Sequence, residues 1–241
     1  MQFNSVDFMI FFPVVLSIYF IITPKLRMYW LLASSYYFYM NWNVKYALLI
    51  GSSTVITYIC GILFSIYKSG NVLLKKRVTL IVCILINLGI LAVFKYANFA
   101  IDSVNTFLTI FQLKPIPCKL NLLLPVGISF YTFQALGYII DVYRGETAVE
   151  TNIFRYALFV SFFPQLVAGP IERSKNLLKQ MHDIESFKLW NARRVTSGSI
   201  LIIWGLFMKM VIADRISILV DTVYNEYQLY GGVELLLTAE F

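Results

Sequence analysis

The amino-acid sequence predicts an all-α fold, a polytopic transmembrane helical bundle. Three observations carry that expectation. Hydrophobic residues make up 59% of the 241 residues and charged residues only 14%. The mean hydropathy is +0.72. Apolar runs of membrane-spanning length recur from one end of the chain to the other, which soluble domains do not show.

The first run covers about residues 5–23, with Asp7 near its outer end. The start of the chain, Met-Gln-Phe-Asn-Ser, has no basic region, and no small-residue cleavage site follows the run. A retained first span is therefore expected in place of a signal peptide. Pro24, Lys25 and Arg27 read as a tight basic turn. Met28 to Met40 is rich in Tyr and Trp but short for a full span, and aromatic side chains favour the headgroup level, so a tilted or shallow helix is expected. A clear span follows from about Tyr46 to Tyr67, then a basic loop over 68–77, then Val78 to Phe94. Tyr96 to Gln112 interleaves apolar residues with Asn98, Asp102, Asn105 and Thr106. Such a segment is too polar to cross lipid and reads as a separate interfacial amphipathic helix, ended by Lys114-Pro-Ile-Pro117.

Residues 122–140 form a further membrane-length run that carries a polar stripe. Gly127, Tyr131, Gln134, Tyr138 and Asp141 fall at alternating steps of four and three, which places them on one helical face. Lipid offers such a stripe nothing to bond to, so it should face protein or a water-filled cavity. Residues 153–168 are apolar again, interrupted by Pro164 and stopped by Gly169-Pro170. A charged stretch runs from Glu172 to Arg194, and a last span covers about 197–220. There is no internal repeat.

The cations test the topology. Loops 24–27 and 68–77 are both cytoplasmic if the N-terminus is extracytoplasmic, and Asp141 and Arg144 then reach the cytoplasmic side. A full crossing by 153–168 would put Arg173, Lys175, Lys179, Lys188, Arg193 and Arg194 outside, against the positive-inside rule. A re-entrant segment near 153–170 removes the conflict within a single membrane domain spanning 1–241. The same distribution accounts for the net charge of +7, so no nucleic-acid partner is expected. Cys60, Cys83 and Cys118 have neither metal-site nor disulfide spacing; no metal and no bound cofactor are expected.

Candidate functional residues are the buried stripe and the charge at its end. Tyr131, Gln134, Tyr138, Asp141, Arg144, Gln165, Glu172 and Arg173 are candidates for lining a channel or contacting substrate. One reading is a polar vestibule that positions a charged ligand, arginine being suited to phosphate or carboxylate. The other is ordinary interfacial charge closing two helix ends, with Gln134 and Gln165 bonding between helices. Lys209 lies inside the last span, where snorkelling explains it and no partner is evident. His182, the one histidine, sits in a charged loop and reads as solvated. No phosphate-binding glycine loop, serine elbow or catalytic histidine is recognisable.

Several blocks together resemble one family. These are Asn4-Ser-Val-Asp-Phe-Met-Ile-Phe-Phe-Pro13, Ala33-Ser-Ser-Tyr-Tyr-Phe-Tyr39, Phe94-Lys-Tyr-Ala-Asn-Phe99, Leu123-Leu-Pro-Val-Gly-Ile-Ser-Phe-Tyr131, Tyr138-Ile-Ile-Asp-Val-Tyr-Arg-Gly145, Phe163-Pro-Gln-Leu-Val-Ala-Gly-Pro-Ile-Glu-Arg173 and Val211-Ile-Ala-Asp-Arg215. In this order they resemble the membrane-bound O-acyltransferases, in particular the alginate O-acetyltransferase type. The resemblance implies a channel of helices in a bacterial cytoplasmic membrane. It implies transfer of an acyl group from acetyl-CoA or another acyl thioester to hydroxyls of an exported polysaccharide or cell-wall polymer, with an extracytoplasmic acyl-handling partner protein. The family's catalytic histidine lies in a Trp-His motif after an Asp-Phe-Ser-Gly-Tyr block, and neither occurs in this sequence. The resemblance therefore implies an N-terminal portion of such an enzyme, a bundle incomplete at its C-terminus and expected to be inactive alone. A membrane transporter or flippase and a non-catalytic membrane scaffold are the rival readings, although no related halves support the transporter.

Overall fold

The computed structural model of the protein describes residues 1, 3–67, 71–114, 125, 127–166, 169, 172–186 and 191–239. Among them every regular element is helical: α1 (Val6–Ile21), α2 (Pro24–Met40), α3 (Val44–Ile66), α4 (Val72–Ile110), α5 (Ile128–Arg144), α6 (Ile153–Ser161), α7 (Phe163–Leu166), α8 (Ser174–His182), α9 (Ala192–Phe207), α10 (Asp214–Asn225) and α11 (Gly232–Ala239). The fold is an all-α polytopic membrane bundle. Three helical stretches are long and apolar enough to cross a membrane: Val44–Ile66, Val72–Ile110 and Ala192–Asn225. The chain forms two compact units, Val14–Phe187 with Met1, and Lys188–Phe241 with Gln2–Pro13.

Local chemistry sets the helix ends. Pro24 opens α2 at a first-turn position, where its missing N–H costs nothing. The residues read as a basic turn thus belong to the helix, and α2 is 17 residues long, not 13. Asn43 caps α3 by accepting from Lys45 N–H, and Asn152 caps α6 by accepting from Phe154 and Arg155 N–H. Lys75, Lys76 and Arg77 stand in the first turns of α4 and not in a loop; Lys68 lies outside the described residues.

The separate amphipathic helix expected at 96–112 is corrected by the structure. α4 runs unbroken for 39 residues, about 58 Å at the α-helical rise. No proline or glycine interrupts it after Gly89, and its polar residues do not break it. The Ser103, Thr106 and Thr109 hydroxyls donate to the carbonyls of Phe99, Asp102 and Asn105 one turn back, which satisfies them along the helix itself.

The striped helix is also shifted. α5 begins at Ile128, not 122, and runs through Asp141 to Arg144. Its start is fixed by Gly127, whose φ of +77° is a left-handed conformation. Its end is a Schellman turn: Glu146 N–H donates to Asp141 O and Gly145 N–H to Val142 O, with Gly145 also at φ +77°. The part of the run at 122–124 lies outside the described residues.

The core of the first unit sits where α2, α3, α5 and α6 meet. Tyr39, Ile50, Tyr131, Tyr138, Ile139, Tyr156, Leu158 and Phe159 are essentially inaccessible there. Polar side chains tie the helices together inside this apolar mass. Tyr156 OH donates to Thr57 Oγ1 (2.7 Å), and Ser53 Oγ donates to Asn87 Oδ1 (2.6 Å). Asn87 Nδ2 in turn donates to Cys83 O. Interhelical bonds of this kind hold helices together where burial against lipid provides no driving force.

In the second unit the last span is longer than expected. α9 and α10 are continuous through a π-helical segment, Met208–Ala213, so the helical stretch covers Ala192–Asn225 and not 197–220.

Candidate functional site

The polar stripe of α5 faces protein. Tyr131, Gln134 and Tyr138 are buried, and Asp141 is half-buried. Tyr131 meets the Tyr39 ring edge-on, with centroids 6.4 Å apart. Tyr138 packs on Tyr156 with centroids 4.7 Å apart, and its hydroxyl accepts a hydrogen bond from Glu150 N–H (2.8 Å). Asp141 Oδ2 accepts from Ser174 Oγ (2.7 Å), and Ser174 Oγ is also 3.2 Å from Thr147 Oγ1. Gly127 is the residue before the helix and does not continue the stripe as a lining position.

Gln134 has a particular task. Pro164 cannot donate to the carbonyl four residues back, so the helix breaks at Phe162 and restarts as α7. In an unbroken helix Phe163 N–H would bond Phe159 O. Here Phe163 N–H donates to Ser35 Oγ of α2 (3.3 Å), and Phe159 O accepts from Gln134 Nε2 of α5 (2.7 Å). Two neighbouring helices thereby satisfy both members of this separated 159–163 pair. Gln134→Leu removes the donor while keeping the bulk. We expect a loss of about 1–3 kcal/mol, the cost of a buried carbonyl left without a partner, read as a lowered thermal midpoint in detergent.

The charged candidates separate from the stripe. Arg144 and Glu146 lie 3.9 Å apart and are both mostly exposed, so their pairing is worth little. Glu172 and Arg173 are exposed, and Gln165 is buried in α7. The structure brings Tyr131, Gln134, Tyr138 and Asp141 into one seam. It does not bring the two charged helix ends into that seam.

A second cluster was not anticipated. Glu150 follows the Schellman turn and is buried, with 3% of its side chain exposed. Its Oε1 accepts from Asn152 N–H (2.9 Å) and from Arg155 Nη1 (3.2 Å). His182, at the C-terminal end of α8, places Nε2 2.8 Å from Glu150 Oε2. Oε2 accepts no hydrogen bond among the described residues, so the approach is close but lacks hydrogen-bond geometry, and it is an ion pair when the imidazole is protonated. His182 is thus anchored on its protein side and half-exposed on the other, not freely solvated. Two carboxylates therefore grip α8 from opposite ends: Asp141 holds its first residue, Ser174, and Glu150 its last, His182. The local clue in the sequence is Glu150 two residues before the capping Asn152, with Arg155 in the first turn of α6. The contact with His182 spans 32 residues and leaves no local trace.

Chemically, a histidine oriented by a buried carboxylate is half of a general-base arrangement. Among the described residues no hydroxyl or thiol is hydrogen-bonded to it. Among the described residues, no group of three or more His, Cys, Asp and Glu side chains could hold a metal ion. Lys209, which lacked an evident partner in the sequence, has its Nζ on Asp214 Oδ1 at 2.5 Å.

Fold and seam together define a helical membrane protein whose buried polar residues join helices around a broken segment. Comparison with known proteins narrows this class. The chain is 38% identical over 225 residues to the probable alginate O-acetylase AlgI of Pseudomonas aeruginosa, covering 90% of this chain and 41% of that protein. It is 32% identical over 242 residues to the peptidoglycan O-acetyltransferase of Helicobacter pylori, covering 90% of this chain and 43% of that protein. It is 26% identical over 87 residues to the teichoic acid D-alanyltransferase of Lacticaseibacillus rhamnosus, covering 36% of this chain and 21% of that protein. No protein-family model and no solved structure matches. Over 90% of its length the chain is thus similar, at 31–38% identity, to proteins named for O-acetylating alginate or peptidoglycan, the membrane-bound O-acyltransferase type that its motifs resemble. It spans about two fifths of the length of the curated O-acetylating relatives it matches.

Proposed function

We propose that this chain forms part of a membrane-bound enzyme that transfers an acyl group, in the first instance acetyl, to hydroxyls of an exported polysaccharide or cell-wall polymer. The observation that carries the reading is similarity over 90% of the chain to relatives named for O-acetylating alginate or peptidoglycan. The donor on this reading is acetyl-CoA or another acyl thioester. The chain sits in the bacterial cytoplasmic membrane with its N-terminus extracytoplasmic, which agrees with the basic ends at 24–27 and 75–77. The α6–α7 pair is the re-entrant element. An extracytoplasmic acyl-handling protein is the further partner.

The role assigned to this chain is architectural. Its seam of Tyr131, Gln134, Tyr138 and Asp141 braces the broken α6–α7 pair, where irregular backbone can persist in a membrane because protein satisfies it. The purified 241-residue chain is expected to transfer no acyl group, because the Trp-His motif that carries the catalytic histidine in enzymes of this type does not occur in it. Turnover of acetyl-CoA that His182→Ala abolishes would contradict this. The functional test is a chimera in which the chain replaces the corresponding region of the Pseudomonas aeruginosa relative, in a strain lacking that protein. Restored alginate acetylation is the expected result. A chimera that inserts stably into the membrane yet leaves alginate unacetylated argues for another function.

A further inference from the structure

We propose that the second unit carries a binding site for an anionic phospholipid, in the groove between α10 and α11, with Arg215 holding the phosphate. The site begins with the π turn. Asp214 N–H bonds Lys209 O, five residues back, and the Lys209 ammonium meets the Asp214 carboxylate. In a π turn residues five apart come into register, so main-chain and side-chain bonds join the same two residues. One extra residue in the turn rotates everything after it by about 100°, so this segment sets which face of α10 meets α11. It also takes Asp214 out of play as a counter-ion.

Arg215, the next residue, has no ion pair or hydrogen bond among the described residues, and it lines the groove. The groove measures about 670 Å³, inside the roughly 300–1,000 Å³ range of small-molecule sites. Its apolar walls are Ile218, Leu219 and Val223 of α10 and Leu237 of α11, with Thr222, Tyr230 and Thr238 among them. Glu234 also lines it, but its Oε2 accepts from Gly231 N–H at the start of α11. Among the described lining residues Glu234 is the one carboxylate, and this bond ties one of its oxygens to the helix start.

Arg215 and Leu219 are four apart and share a face, and from Arg215 to Val223 the helix rises about 12 Å. A cation without a counter-ion at one end, followed by an apolar strip of that length, matches an anionic headgroup followed by an acyl tail. A soluble anion would leave the strip uncovered. A neutral hydrocarbon would leave the exposed Arg215 guanidinium at the end of the groove without a partner there. Guanidinium binds phosphate through two parallel bonds, and one tail then lies against Leu219, Val223 and Leu237.

The test uses the full chain in detergent, with lipid retention measured by native mass spectrometry. The probes are phosphatidylglycerol, phosphatidylcholine and inorganic phosphate. Phosphatidylglycerol should bind about tenfold better than phosphatidylcholine, the size of one charge-assisted contact. Arg215→Gln, at an exposed position that folding does not need, should erase that preference. Leu219→Trp, which fills the groove, should lower retention of both lipids, and circular dichroism will show whether both variants keep their helix content. Equal retention of the two lipids, or a preference that survives Arg215→Gln, overturns the site. Displacement of phosphatidylglycerol by equimolar inorganic phosphate marks a free-anion site and overturns the lipid assignment.

Discussion

Glu150→Ala should destabilise the first unit by about 3–5 kcal/mol, the range found when one partner of a buried ion pair is removed. The carboxylate is 3% exposed and the Arg155 side chain opposite it 17%. Removing Glu150 leaves that mostly buried guanidinium without its carboxylate partner. It also removes the acceptor for Asn152 N–H at the start of α6, and the contact that holds the end of α8. Arg155→Ala should cost less, because His182 and Asn152 N–H still face the carboxylate. His182→Gln should cost least, about 1 kcal/mol or below, since its side chain is 54% exposed and solvent screens the pair. Thermal unfolding of the three variants in one detergent tests the ranking. A His182 variant as damaging as Glu150→Ala would mean that the imidazole, not the arginine, anchors the cluster.

The ranking also separates two views of His182. If its role is to fasten α8, the loss on substitution appears in stability. If it served acyl transfer, activity of a complete enzyme would fall while the thermal midpoint stayed put.

What the sequence made legible was periodic and local. The stripe of Tyr131, Gln134, Tyr138 and Asp141 could be read because helical spacing repeats, and burial of the first three follows from it. The break near Pro164 could be read because proline lacks an N–H. The repair of that break could not. Ser35 and Gln134 come from helices 128 and 25 residues away from the groups they satisfy, and nothing in their local pattern marks them. The split placed between Phe94 and Tyr96 came from treating polarity as a breaker. Side chains that bond back to their own helix are polar in composition only. The Glu150–His182 contact joins a loop to a helix end, and neither carries a periodic signal. Lys209 was legible as an intramembrane charge, but its partner lies at the five-residue spacing of a π turn, outside the three- and four-residue spacings of an α-helix.

Gly127→Ala is expected to be the other severe substitution, and Gly145 supplies its control. Both glycines have φ +77°, so alanine at either position meets the same left-handed strain, about 1–2 kcal/mol. Their surroundings differ. A Cβ on Gly145 would have nothing within 4 Å. A Cβ on Gly127 would stand 2.5 Å from the main-chain carbonyl oxygen of Leu166. Backbone cannot swing aside as a side chain does, so α5 or α7 must move. Either motion reaches the seam: Gln134 lies two turns into α5, and Phe159, whose carbonyl it satisfies, lies just before the break that α7 follows. Gly145→Ala should therefore cost about 1 kcal/mol, and Gly127→Ala about 3 kcal/mol or more, once displaced packing is added to the strain. Combining Gly127→Ala with Gln134→Leu refines the comparison. If the alanine already pulls the amide from Phe159 O, the double variant loses less than the sum of the two single ones. Full additivity would show that the glycine and the glutamine act on separate parts of the fold, and equal losses at Gly127 and Gly145 would show that the close approach of α5 to α7 contributes nothing.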